Sequence, residues 1–327
     1  MGAGMSLAVL LACAAAIAEP SGAAEWETPL SISSLPPLQI NISGEGGRQW
    51  MFANMLRSAE AWIAKDAIEA DEARSLATQF QLDAAGWPTS LPAGCGMRIG
   101  AGYQTGPGTY LHGVYVLTWE GSGKVELQSS QNDGKDEATL VDDQAKGRIV
   151  RLIKTPAKAV LVFVRSTDPD NHVRNMRLWA PASDGAGLAL TADSDLGPGQ
   201  VTGSLEPAPG QPEPMWHPRF LQHLAETPNY GVIRFMGWLN INQDQWDKDP
   251  LEWADRADTS HSFGSLNVID RTYKRYPVDA YKQRLGLPYE WMIDLCNATD
   301  KDLWIQVPHV ASDDLIRKLA AFCASRM

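Results

Sequence analysis

Two short apolar runs constrain this chain more than any other feature. Gly231 to Trp238 and Leu303 to Val307 read as buried strands of a parallel sheet, the first interrupted only by Arg234. Between them a helix pattern opens at Pro288, Tyr289 and Glu290. A second helix pattern follows Ser312, a good N-cap residue, with Asp313 and Asp314 in its first turn. Strand, helix, strand, helix is the order of βαβ units. Ligands of such sheets gather at the carboxyl ends of the strands. There the chain carries Asn240 and Asn242 after the first run, and His309 after the second.

Upstream the pattern is different. From Met97 to Trp179 the apolar period changes to two. Strands are expected at Tyr115–Trp119, Gly123–Leu127, Arg148–Ile153, Ala159–Val164 and Met176–Trp179, joined by short turns rich in Gly, Asp and Asn. Such a series suggests a β-sandwich or jelly roll. Leu38 to Ile42 is a further short strand candidate. Gln49 to Phe80 reads as a helix, since Trp50, Met51, Met55, Ala59 and Trp62 recur at helical spacing. Residues 182–214 are dense in Gly, Pro, Ser, Ala and Asp and read as a linker or long loop. Residues 5–18 form one apolar run, too short to span a bilayer, and read as the core of a signal peptide.

The expected class is therefore α+β to α/β. Its parts are a signal peptide at 1–24, a jelly-roll-like β-sandwich domain with a helix at 25–181, the linker at 182–214, and partial β/α units at 215–327. The expected location is secreted, outside the cell. A net charge of −11, with no Lys/Arg cluster, argues against nucleic acid and anionic membrane as partners. There is no Gly-rich phosphate loop, no His pair at ligand spacing, no Gly-x-Ser-x-Gly and no Cys-x-x-Cys. Accordingly no cofactor and no metal are expected. Beyond Cys13, the thiols Cys95, Cys296 and Cys323 are read as buried cysteines in preference to a Cys296–Cys323 bridge.

The candidate site residues follow from their positions. Arg234, inside a buried strand, either meets a carboxylate of a neighbouring strand or faces a ligand. The long excursion 243–285 carries Trp246 and Trp253, whose rings either stack on sugars or hold the loop together. Glu290 either caps its helix, contacts Arg or substrate, or takes part in catalysis. His309 either bonds a substrate hydroxyl, orients a carboxylate, or is a satisfied structural residue. Asp314 either caps its helix, pairs with Arg, or faces the pocket.

Gly231–Asn242, Gly286–Asn297 and Asp302–Asp314 together resemble a poorly characterised family of secreted bacterial glycoside-hydrolase-like proteins, some of them named as cellulose-binding. Leu82–Pro88, Gly108–Tyr110, Thr167–Pro169 and Arg174–Arg177 are similar to the same family. The resemblance implies a β-rich domain before a TIM-like (β/α)8 barrel. It implies polysaccharide as partner, a β-glucan first, with Arg234, Asn242, Trp246, Glu290, His309 and Asp314 as recurrent positions. It also implies an acid/base Glu in an Asn-Glu-Val-Trp type segment and a nucleophile on a later strand. The chain ends at Met327 without either segment, so the expected barrel is incomplete and its C-terminal portion is the missing partner.

Glycoside hydrolysis needs two carboxylates about 5–9.5 Å apart across the bond. Asp313 and Asp314 are neighbours on one helix, and Glu290 has no evident partner, so no catalytic residue is assigned. The leading expectation is a carbohydrate-associated protein that lacks the catalytic pair. A non-catalytic polysaccharide-binding or cell-surface module and a fragment of a retaining glycosidase stand beside it.

Overall fold

A computed structural model describes residues 38–42, 51–59, 62–65, 81–83, 85–91, 96–101, 113–129, 137–153, 160–182, 203–226, 230–238, 250–259, 267–269, 275–277 and 287–327. The strands before the first helix are β1 (Leu38–Asn41), β2 (Trp62–Lys65), β3 (Gln81–Leu82), β4 (Pro88–Ser90), β5 (Gly96–Ala101), β6 (Gly113–Glu120), β7 (Gly123–Ser129), β8 (Glu137–Asp143), β9 (Arg148–Ile153), β10 (Val160–Thr167) and β11 (Arg174–Trp179). Then come α1 (Pro218–Glu226), β12 (Tyr230–Arg234), β13 (Asn267–Ile269), β14 (Arg275–Pro277), α2 (Tyr289–Thr299), β15 (Asp302–Trp304) and α3 (Asp313–Arg326). The class is α+β, with strands predominating among the described residues. None of the described helices is long and apolar enough to cross a membrane.

Two sheets share the larger core. One runs β14-β13-β2-β5-β10-β7 and the other β11-β6-β9-β8. Met97, Ile99, Val125, Val162 and Val164 from the first meet Tyr115, Leu117, Ile149, Met176 and Leu178 from the second. Alternating apolar positions put one face of each strand inward. All five strand candidates of this region are present, β9 with the expected bounds. The turn from β6 to β7 carries the chain from one sheet to the other. Gly121 adopts φ +85° there, and a Cβ on it would lie 2.0 Å from the His172 carbonyl oxygen, so only glycine fits. The turn from β10 to β11 lies beside it: Ser122 N donates to Asn171 O at 2.7 Å and Asp168 N donates to Ser122 O at 2.9 Å.

The expected helix over 49–80 is corrected where the chain is described. Met55–Ser58 is one turn of 3-10 helix, and Trp62–Lys65 is strand β2. The large residues there serve different cores instead of one helix face. Met51 and Phe52 join the C-terminal core, Ala53 a small third one, and Met55, Leu56 and Ala59 the sheet core. The backbone is bonded across the chain: Ala53 N donates to Met215 O, and Ala180 N donates to Ala53 O. Antiparallel bridges Phe52–Trp216 and Asn54–Trp179 run alongside. The region read as a linker is also held where described. Leu205 N donates to Ala180 O, and Glu206 makes a two-pronged ion pair with Arg148, the side chains only 5% and 7% exposed. Its composition forbade regular structure, but not partners.

The C-terminal unit is a parallel sheet ordered β1-β12-β15. The two strands read from the apolar runs are adjacent in it, as a βαβ order requires. β1, which the sequence placed in the N-terminal domain, pairs along β12 instead. Helices α1, α2 and α3 bury Phe220, Leu224, Trp291, Met292, Leu295, Leu315 and Leu319 against one side of this sheet. Ser312 caps α3 by accepting from Leu315 N at 3.1 Å. Asp300, at φ 52°, takes the left-handed position that ends α2.

Two buried polar groups sit where the units meet. The Asn54 side-chain oxygen accepts from Leu56 N at 3.2 Å and from Leu178 N at 3.0 Å. Asn54→Ala leaves both amides without this acceptor and is expected to cost about 2–4 kcal/mol in the urea midpoint; an unchanged midpoint would remove Asn54 from this role. His217 is fully buried. Its Nδ1 accepts from Arg219 N, so Nε2–H donates to Pro181 O at 3.0 Å. Burial pushes its pKa below 6.5, against the opposing pull of the Pro181 carbonyl. Above about pH 6.5 neither folded nor unfolded imidazole is charged. Below it only the unfolded chain takes up the proton, down to the lowered native value, so His217 makes stability fall with pH in that window. His217→Gln should flatten this part of the stability profile in denaturation series from pH 7.5 to 5.

Candidate functional site

The parallel sheet has two unlike faces, because side chains alternate along each strand. Ile40, Ile42, Ile233, Phe235, Leu303, Ile305 and Val307 point to the helical core. The intervening residues Val232, Arg234, Trp304 and Gln306 therefore occupy the opposite side. Among them Arg234 stands level with Trp304 in the register of β12 and β15, and with Asn41 on β1. The Arg234 guanidinium lies over the Trp304 indole, 5.1 Å from the ring centroid. Its Nε is buried without a hydrogen-bond partner.

Gln306 lies two residues beyond Trp304. Both its Oε1 and its Nε2 are buried without partners. Buried amides are nearly always satisfied, so an unmet donor and acceptor on one side chain mark a place where a polar ligand or water fits. Asp302, exposed, stands level with Val232 at the start of β15. The side of the sheet away from the described helices thus combines a half-buried cation, an indole and an unsatisfied amide.

The other candidates lie elsewhere. Trp253 is parallel to Tyr289, with centroids 6.4 Å apart and 4° between planes, and meets Phe322 of α3 at 5.5 Å. The Arg256 guanidinium lies 4.3 Å from the Trp253 centroid and 2.9 Å from Glu290 Oε1. Trp253 and Glu290 are thus brought together, but as a clasp joining α2 to α3 on the helical side of the sheet. Burial pushes the Tyr289 hydroxyl pKa well up, so it stays protonated within this clasp. Asp314, in the first turn of α3, makes an exposed ion pair with Lys318 at 2.9 Å. His309 is exposed in the turn between β15 and α3. Asn242 and Trp246 lie outside the described residues.

Among the described residues Arg234 is therefore the one sequence candidate on that side of the sheet, and Trp304 and Gln306 were missed. The signal was present, because Leu303, Ile305 and Val307 alternate with them. A run read as continuously apolar hid that alternation. Cys296 and Cys323 are free thiols in the helices. Burial pushes the Cys296 pKa up to about 12 and that of Cys323 up as well, so neither is an activated nucleophile.

Glu290→Gln removes the charge that faces Arg256 in this partly buried clasp. A loss of about 2 kcal/mol is expected on thermal or urea unfolding. A variant as stable as the parent would show the pair to be idle. Compared with protein-family models, with curated proteins and with solved structures, the chain finds no match.

Proposed function

We propose that this is a secreted carbohydrate-binding protein of glycoside-hydrolase-like build, and that its ligand face is the side of the β1-β12-β15 sheet away from the described helices. The observation that carries the reading is Arg234 lying over Trp304, with the unsatisfied Gln306 amide two residues further along the chain. A pyranose ring has an apolar C–H face and a rim of hydroxyl pairs. An indole suits the first. A planar guanidinium and an amide suit the second, because each offers two groups at the spacing of neighbouring hydroxyls. The two sheets sharing one core are in keeping with a sandwich. The three parallel strands with helices on one side are in keeping with part of a barrel.

Binding is favoured over hydrolysis for a simple reason. Glu290 is engaged by Arg256 and Asp314 by Lys318. Neither forms the facing pair that glycosidic cleavage needs. The apolar N-terminal run and the family resemblance support secretion and a polysaccharide ligand.

Affinity electrophoresis on soluble polysaccharides, beginning with β-glucans, tests the reading. The wild-type chain is expected to be retarded. Trp304→Ala should weaken binding about tenfold, equivalent to roughly 1.4 kcal/mol of lost ring contact. No retardation on any polysaccharide, or full retardation of folded Trp304→Ala and Gln306→Ala variants, would sink the proposal.

A further inference from the structure

We propose that the sugar recognised at this side of the sheet carries a carboxylate, so that the ligand is an acidic polysaccharide built from uronic acid units held by Arg234. This rests on the carbohydrate reading and goes beyond it. Arginine stays charged in proteins, and a charge withdrawn from water is normally paired. Several other arginines obey that rule. Arg148 meets Glu206, Arg165 meets Glu126, Arg177 meets Glu213, and Arg256 meets Glu290. Arg234 is half-buried and meets no carboxylate among the described residues, and its guanidinium lies over the face of Trp304.

Hydroxyls of a neutral sugar can satisfy guanidinium N–H groups, but they cannot balance the charge. A carboxylate does both, because its two oxygens match the fork of the guanidinium. Stacking on Trp304 restricts the plane of that fork before the ligand arrives, which lowers the ordering cost of binding. Gln306 would supply one donor and one acceptor to hydroxyls of the ring. The net charge of −11 opposes a polyanion at long range, but that field is screened beyond about 8 Å at physiological salt. Asp302, exposed on the same strand, disfavours a second carboxylate beside it. Short uronate stretches, or polymers with spaced acids, therefore fit better than a dense polyanion.

The test compares ligands that differ only in charge. Calorimetric titration of the wild-type chain would use uronate oligosaccharides, the same oligosaccharides as methyl esters, sulfated oligosaccharides and neutral gluco-oligosaccharides. The acid is expected to bind at least tenfold more tightly than its ester. Arg234→Gln should abolish that preference, and Arg234→Lys should restore only part of it. The acid-to-ester comparison is made on the wild type, so it stands even where a variant fails to fold. Equal affinity for acid and ester, or a preference for neutral glucan or sulfated sugar, would overturn the uronate inference and leave carbohydrate binding standing. Binding to none of the four would overturn both.

Discussion

Two buried backbone amides, those of Leu56 and Leu178, converge on one acceptor, the side-chain oxygen of Asn54. That shared bond fixes residues 51–59 against β11, and the rest of the structure depends on the placement. On one side Met55 and Leu56 complete the sheet core. On the other Phe52 stacks on Trp216 at 5.0 Å and packs near Trp238 and Trp291. The cores are thus coupled through a segment too short to form a core of its own. Apolar contact supplies the cohesion, and the polar groups fix the register in which it is made.

Charge is handled the same way. The Arg148–Glu206 pair lies almost wholly out of water and ties an otherwise irregular stretch to β9. Arg57 sits over Trp291 and faces Glu213. Burial lowers its pKa more than Glu213 raises it. Asp83 accepts from the amides of Ala85 and Trp87 with one oxygen and contacts His172 with the other, joining the β3–β4 hairpin to the β10–β11 turn. Each arrangement satisfies groups that would be costly if left alone. Arg234 contrasts with these pairs, since it lies over Trp304 and meets no carboxylate among the described residues.

Much of this was legible in the sequence wherever one periodicity served one core. β9 emerged with its own bounds, β12 and β15 as neighbours, and Ser312 as the cap of α3. The reading failed where neighbouring residues serve different cores. Met51, Met55 and Ala59 imitate a helical stripe because each is buried, though not on a common face. Glu206 was hidden in a composition that speaks only of irregular backbone. The site was half legible: an Arg inside an apolar strand announces itself, whereas Trp304 and Gln306 are recognisable only once the strand's facing is known.

The bridges Phe52–Trp216 and Asn54–Trp179 have a consequence for how the molecule assembles. They place the chain's path into the β-rich unit beside its path out, antiparallel and in contact. Most of the β-rich unit is therefore inserted between β1 and its partner β12, while β13 and β14 join its six-stranded sheet from beyond β12. During synthesis β1 emerges early and waits, an edge with unmet hydrogen bonds, until the inserted sheets have formed. Their folding draws the two ends together and shortens the loop that pairing must close. The parallel sheet thus closes across most of the β-rich strands, and a fault among them would reach its strand pairing through chain connectivity alone.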